Sequence, residues 1–286
     1  MHRLPHCAHC KNDMPGSASI CPHCGRPGLY PNVRAAEDPA EVAALDGRYL
    51  AAFNDATARG ADANLRDFEG KIKQSRAVLA RTANELQRLA TSDNQIYATY
   101  YDLLRAGVIS HAGDRWALLR ALADEAMFPG YKEEIRFAAL TLDMRGLSSY
   151  GDCFVVLRTD MIAHRATAFE ENSTLFMRHH RILMDEADNL PRGYRATWDD
   201  RGRLCAAKLF REIDAHTPED EYSKVLLRQG TTTADDEFVE VHVWGPMTAR
   251  TFEQVSVKSR SRRAHRVIVG ALRERLGKLS VKLQVN

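Results

Sequence analysis

The chain has 286 residues, 44% hydrophobic and 27% charged, an ordinary balance with enough length for a sizeable core. The formal net charge is only +2, so the chain as a whole does not announce a polyanion partner. With no run of about 18 apolar residues and no signal-peptide core at the start, the expectation is a soluble, cytoplasmic protein with no membrane partner.

Six cysteines include four in two CxxC pairs, which in such a compartment read as metal ligands rather than disulfides. Cys7-Ala-His-Cys10 and Cys21-Pro-His-Cys24-Gly25 lie ten residues apart. Two such turns bring four thiolates to one tetrahedral point, the arrangement of structural zinc. Residues 1–30 are therefore predicted to be a zinc ribbon, with Cys7, Cys10, Cys21 and Cys24 as ligands. Zinc there supplies folding energy, not chemistry. A redox role is set aside, because no βαβ pattern surrounds the pairs.

A helical linker or hairpin is predicted over 31–92, with helices over 39–60 and 62–90. In the second, Leu65, Phe68, Ile72, Leu79, Leu86 and Leu89 recur at helical spacing. Arg66, Lys71, Lys73, Arg76, Arg81 and Arg88 would form a solvated basic face, or one that binds a partner. Further helices are expected over 93–107 and 114–128, the second with Trp116, Leu119, Leu122, Ala123 and Met127 as a core stripe.

Ile135–Leu142 and Cys153–Leu157 read as strands, separated by the glycine-bounded loop 145–151. Residues 161–169 lead into a turn at 170–173. Helices are predicted over 174–188 and 199–215, each opening on a capping-type residue. Val225–Arg228 precedes a flexible polar loop at 230–233.

Phe238–Trp244 alternates as a strand, and Gly245-Pro246 ends it. Val239, Val241 and Val243 share one face; Phe238, Glu240, His242 and Trp244 share the other. A carboxylate in the middle of such a strand is costly unless it is paired with a cation or used. Strands scattered among helices argue for an α+β fold. The tail, 258–286, sets Lys258, Arg260, Arg262, Arg263, Arg266, Arg273, Arg275, Lys278 and Lys282 against Glu274 alone. It reads as a basic amphipathic helix that contacts phosphate, docks on the core, or meets an acidic protein.

Three pieces stand in a familiar order: Arg136–Asp143 through Gly146-Leu147 to Tyr150-Gly151, then Arg165-Ala166-Thr167 with Asn172-Ser173, then Glu240–Gly245. Together they resemble bacterial ADP-ribosyltransferase-like toxin domains, including those of phage-encoded and phage-defence systems. The resemblance implies a transferase-like mixed β core with flanking helices over 93–257 and NAD as substrate. It implies that Glu240 stabilises the oxocarbenium-like ribose centre. By the same resemblance, Arg136, Tyr150 and Thr167 or Ser173 hold the diphosphate, nicotinamide and ribose, while Arg145 and Arg165 compete for the diphosphate.

Many such transferases carry a second glutamate where this chain has Phe238, which disfavours an arginine acceptor and favours nucleic acid, RNA first. The expected function is thus a mono-ADP-ribosyltransferase, acting as a toxin or anti-phage effector. An antitoxin or chaperone protein is the expected protein partner, and the ribbon and tail would meet RNA or DNA. One rival is a non-enzymatic zinc-ribbon nucleic-acid-binding or scaffold protein with a degenerate transferase fold. Another is a hydrolase with Glu240 and His242 as its acid/base pair, and a further one an NAD glycohydrolase.

Overall fold

The computed structural model describes residues 6, 7, 9–108, 115–182, 190–233, 235–258 and 263–285. In chain order the helices and strands are α1 (Pro31–Ala36), α2 (Pro39–Ala58), α3 (Asp62–Ile72), β1 (Arg76–Arg81), α4 (Ala83–Leu89), α5 (Tyr100–Arg105), α6 (Arg115–Met127), β2 (Ile135–Thr141), β3 (Cys153–Leu157) and α7 (Thr159–Ile162). They continue with β4 (Ala166–Phe169), α8 (Ser173–His179), β5 (Arg195–Thr197), α9 (Arg201–Leu209), α10 (Tyr222–Leu226), β6 (Glu240–Trp244), β7 (Phe252–Val257), α11 (Arg263–Lys278) and β8 (Lys282–Val285). The strands form one sheet in the order β5-β4-β6-β2-β1-β3-β7-β8. Each neighbouring pair is antiparallel except β7 and β8, which are parallel. The fold is mixed α and β, as expected.

Two expected boundaries are overturned. The helix predicted over 62–90 is two helices with a strand between them, and that strand is central to the sheet. Leu79 satisfied the helical spacing by coincidence. The run Ala77-Val78-Leu79-Ala80 is continuously apolar and buried, the pattern of a strand covered on both faces. Ser75 turns the chain out of α3, its hydroxyl donating to the Ile72 carbonyl at 2.6 Å and accepting from Arg201 Nε at 3.1 Å. Residues 31–92 are therefore no separate hairpin, since β1 pairs with both β2 and β3. The tail is not an appended helix either. β8 extends the sheet beside β7, and α11 buries Val269, Leu272 and Leu276.

Smaller differences follow from caps and turns. Within 93–107 only Tyr100–Arg105 is helical, opened by a capping box between Thr99 and Asp102. α8 ends at His179, with Arg181 at a φ of +53°. The rest of the helix predicted over 174–188 lies partly outside the described residues. α9 passes at Phe210 into a short 3-10 turn rather than running to Ala215. Val225 and Leu226 close α10, and Arg228 bridges to Glu237.

One face of the sheet carries the main core, where Val239, Val241 and Val243 pack with Leu79, Leu140, Val155 and Leu157. On the other face Phe128 and Phe176, from the α6 and α8 segments, cover Phe169 and Phe137. The sheet opens between β1 and β2. These strands pair only at Arg76–Val78 with Ala139–Thr141. Beyond that point β1 follows β3, while β2 follows β6. The sheet therefore forks, and both strands line the gap.

α1 lies against the end of β4 and β6. Asn32 is buried there, and its Nδ2 donates to the carbonyls of Arg165 at 3.0 Å and His242 at 3.1 Å. Arg34, on the same helix, holds the N-terminal loops: its guanidinium donates to the carbonyls of Ala18, Leu29, Pro15 and Gly16. No described helix is long and apolar enough to cross a membrane.

Candidate functional site

A cleft fills the fork. Its walls come from both diverging strands, Val78–Arg81 of β1 and Phe137–Ala139 of β2. Its polar groups are Arg81, Arg120, Asp124, Tyr150, Asn172, Ser173, Thr174 and Glu240.

Glu240 sits at the first position of β6, paired with Ala139 at the base of the fork. It is 4% exposed, and its carboxylate is held from several sides. Oε2 accepts from the Ser173 backbone N–H at 3.1 Å and from the Ser173 hydroxyl. Oε1 accepts from Asn172 Nδ2 at 3.4 Å. Asn172 is itself fixed, because its Oδ1 caps α8 through the N–H groups of Thr174 and Leu175. His242 Nε2 lies 2.9 Å from Oε2. A carboxylate only accepts, so this nitrogen carries the proton. The His242 ring is locked among Phe128, Phe137 and Phe169, with centroids 4.7, 5.4 and 5.7 Å away. Among the described residues Glu240 therefore has no arginine partner of the kind the sequence left open: its partners there are hydrogen-bond donors, and it lines the cleft.

Tyr150 overhangs the cleft on a short turn that cannot move freely. Gly151 has a φ of +148°, and a Cβ there would lie 2.4 Å from the backbone of Arg81. Ser149 Oγ donates to Asp236 Oδ2 at 2.6 Å, and Ser148 Oγ to Gln229 Oε1 at 2.7 Å. The chain leading into β6 thus clamps the Tyr150 turn. Burial first, then the Glu240 and Asp236 carboxylates, pushes the Tyr150 hydroxyl up to about 12, so it keeps its proton.

Arg81 closes the β1 side and stacks over Tyr97 at 4.8 Å. Burial brings its guanidinium down to about 10, still protonated at neutral pH. Arg120 lies over Phe137 and Tyr100, at 5.2 and 5.1 Å. Four residues on, Asp124 faces Arg120 at 3.7 Å and accepts from the Tyr101 hydroxyl at 2.7 Å.

Of the residues expected at the site, Glu240, Ser173 and Tyr150 meet in this cleft, and His242 backs Glu240 without lining it. Four do not join them. Arg136 alternates to the other side of β2 from Ala139, the partner of Glu240, and lines a hollow that adjoins the cleft, with Arg81, Tyr97 and Tyr101. Thr167 is buried under α1, its Oγ1 3.5 Å from Asn32 Nδ2. Arg165 is a backbone clamp, donating to the carbonyls of Met161, Trp244 and Pro246. Arg145 is exposed, and its backbone N–H closes a turn on Asp143. The strand register explains the first two, since side chains alternate faces along β2 and β4 lies under α1.

Sequence reading missed Arg81, Arg120 and Asp124 at the cleft and gave Asn172 no role. The signal for Arg81 was the apolar run before it, which marks a strand end. That for Arg120 and Asp124 was an ion-pair spacing of four beside a core stripe.

At the N-terminus, Cys7, Cys10, Cys21 and Cys24 converge, all four sulfurs within 4.8 Å of one another. Cys7 and Cys24 are 3.7 Å apart, and Cys10 and Cys21 3.6 Å. Tetrahedral zinc with bonds of about 2.3 Å needs sulfur–sulfur edges of about 3.8 Å, so the group fits such an ion. The two turns match. Lys11 and Gly25 each take a φ above +60°, and each donates back to the first cysteine's carbonyl at 2.9 Å. Backbone N–H groups of Cys10 and His9 bring the Cys7 thiol down to about 6, while the Cys24 thiol, despite the backbone N–H of Arg26, is pushed up to about 11 by burial and the other three sulfurs. No family model matches this sequence, and no curated protein matches it.

Proposed function

We propose that the protein is an NAD-dependent mono-ADP-ribosyltransferase whose reaction takes place in the fork of the sheet. The observation that carries this reading is Glu240: a carboxylate at the base of a cleft, held by Ser173, Asn172 and His242, with its acceptor capacity turned toward the gap. Cleavage of the nicotinamide–ribose bond builds positive charge on the ribose, and a fixed, desolvated carboxylate stabilises that charge. Arg81 and Arg120 on the rim suit a diphosphate, and Tyr150 with Phe137 suits a flat ring. In this reading Arg81 takes the diphosphate role that the resemblance assigns to Arg136.

Phe238 stands where many of the resembling enzymes carry a second glutamate, and Arg266, Arg273, Lys278 and Lys282 are exposed toward the C-terminus. Both features favour a nucleic-acid acceptor, RNA first. Zn²⁺ held by the four cysteines is the metal of this reading, with a structural role.

The test is incubation of the full chain with labelled NAD and, separately, RNA, DNA and lysate protein. Label transferred to RNA by wild type and lost in Glu240→Gln supports the proposal. A wild-type chain that neither releases nicotinamide nor labels any acceptor overturns it.

A further inference from the structure

The transfer proposed above, on which this inference rests, needs a group that takes the acceptor's proton. His242 is unsuited, because its Nε2–H is committed to Glu240 and its ring is sealed between phenylalanines. Tyr150 keeps its proton at neutral pH. The position two residues before Glu240 is Phe238, which brings no carboxylate.

The cleft does contain a second carboxylate, delivered by a different element. Asp124 of α6 lines the same cavity as Glu240, with its side chain only 2% exposed. We propose that Asp124 is the general base of the reaction, taking the proton of the attacking acceptor while Glu240 stabilises the ribose. Atoms and charges balance in one exchange. The C1′–N1 bond breaks and its electron pair leaves with neutral nicotinamide. A C1′–O bond forms to the acceptor, and the acceptor's O–H proton passes to the Asp124 carboxylate.

The groups facing Asp124 are Arg120 on its own helix, Tyr101 from α5, Lys132 from the turn after α6, and Glu240 from β6. Burial raises its carboxyl to about 6; Arg120 and the Tyr101 hydrogen bond act against that, and Glu240 adds to it. A base in this range is ionised at neutral pH and still takes a proton readily. Its neighbours also fix its direction: Tyr101 and Arg120 both engage Oδ2.

The experiment measures nicotinamide release from NAD by the full chain across pH, with water as the acceptor. NAD affinity and melting temperature are measured on the same samples. Wild-type release is expected to rise with pH through a limb near 6, because the ionised form is active. Asp124→Asn should remove the limb and slow release by about 100-fold, with NAD affinity within about twofold. Asp124→Glu should restore the limb. Tyr101→Phe removes a hydrogen bond that favours the ionised form, so its limb should move to higher pH with a similar plateau.

An Asp124→Asn variant that keeps both limb and rate overturns the assignment. So does a Tyr101→Phe variant that loses activity as Asp124→Asn does, which would make the pair a structural tie between α5 and α6. If wild type releases no nicotinamide at any pH, the transferase reading itself falls, and this role with it.

Discussion

Glu240 illustrates how a single side chain can be costly and specific at once. A buried carboxylate without partners is destabilising by several kcal/mol, so its donors must be supplied by the fold. Here they come from the cap of α8 and from the neighbouring position on the same strand face. Glu240→Gln keeps the shape and most hydrogen bonds but removes the charge. Turnover should fall by roughly 100- to 1,000-fold, with the melting temperature nearly unchanged and NAD still bound. A purely structural carboxylate predicts the reverse, a lowered melting temperature and unaltered turnover in the folded fraction. Thermal melts beside nicotinamide release on the same preparations separate the two. Strand alternation made this residue legible in the sequence, because a charge on an otherwise apolar strand face stands out. The arginines were not legible in the same way. Arg81 and Arg136 both sit beside apolar runs, and only the fork decides which of them lines the cleft with Glu240.

At the scale of elements, the fork is the feature that sequence periodicity concealed. β1 is six residues long and lies between two helices, so a window tuned to helical spacing absorbs it. Its apolar run was the contrary sign. The turn carrying Tyr150 is the other element that shapes the cleft. At Gly151 both the positive φ and the nearby Arg81 backbone forbid a side chain. Gly151→Val should therefore cost on the order of 2 kcal/mol and lower the melting temperature by several degrees. NAD affinity should fall more than the stability loss accounts for, because the turn must lift off β1 and carry Tyr150 with it. Calorimetric titration of NAD at a temperature where the variant remains folded reads this directly.

α11 needs a similar distinction. It buries one face and exposes Arg266, Arg273 and Lys278 on another, with Lys282 just beyond it. Deleting 258–286 would strip β8 from the sheet edge, so point substitutions are the cleaner probe. Changing these four residues to Ala should leave the melting temperature unchanged. If they neutralise RNA phosphates, the slope of log affinity against log salt flattens by about 0.7 for each phosphate left without its cation. An unchanged slope means that the exposed basic face is only solvated.

The whole molecule joins two stabilising principles. The sheet and its helices form a large apolar core of their own. The N-terminal segment has almost none: among described residues its buried cluster is Cys7, Met14 and Cys21, with Cys10 and Ala18 against it. So small a cluster offsets little chain entropy, and a metal ion held by the four cysteines would supply the missing constraint. One zinc per chain is therefore expected, lost on Cys7→Ser with Cys21→Ser. The consequences for the two parts should differ. Metal removal by chelation should unfold residues 6–28 and leave the sheet folded, so the main thermal transition survives.

One tie between the parts is Arg34, which donates to four carbonyls of the N-terminal segment from the same short helix that carries Asn32. Asn32 in turn donates to the carbonyl of His242, the residue behind Glu240. Unfolding the metal segment frees Arg34 but leaves Asn32 in place, so chelation should change nicotinamide release by less than about tenfold. Metal analysis, melting curves and NAD turnover on one chelated sample test all three statements together. Abolition of turnover by chelation with the main transition intact would show that the cysteine cluster does more than hold its own loops.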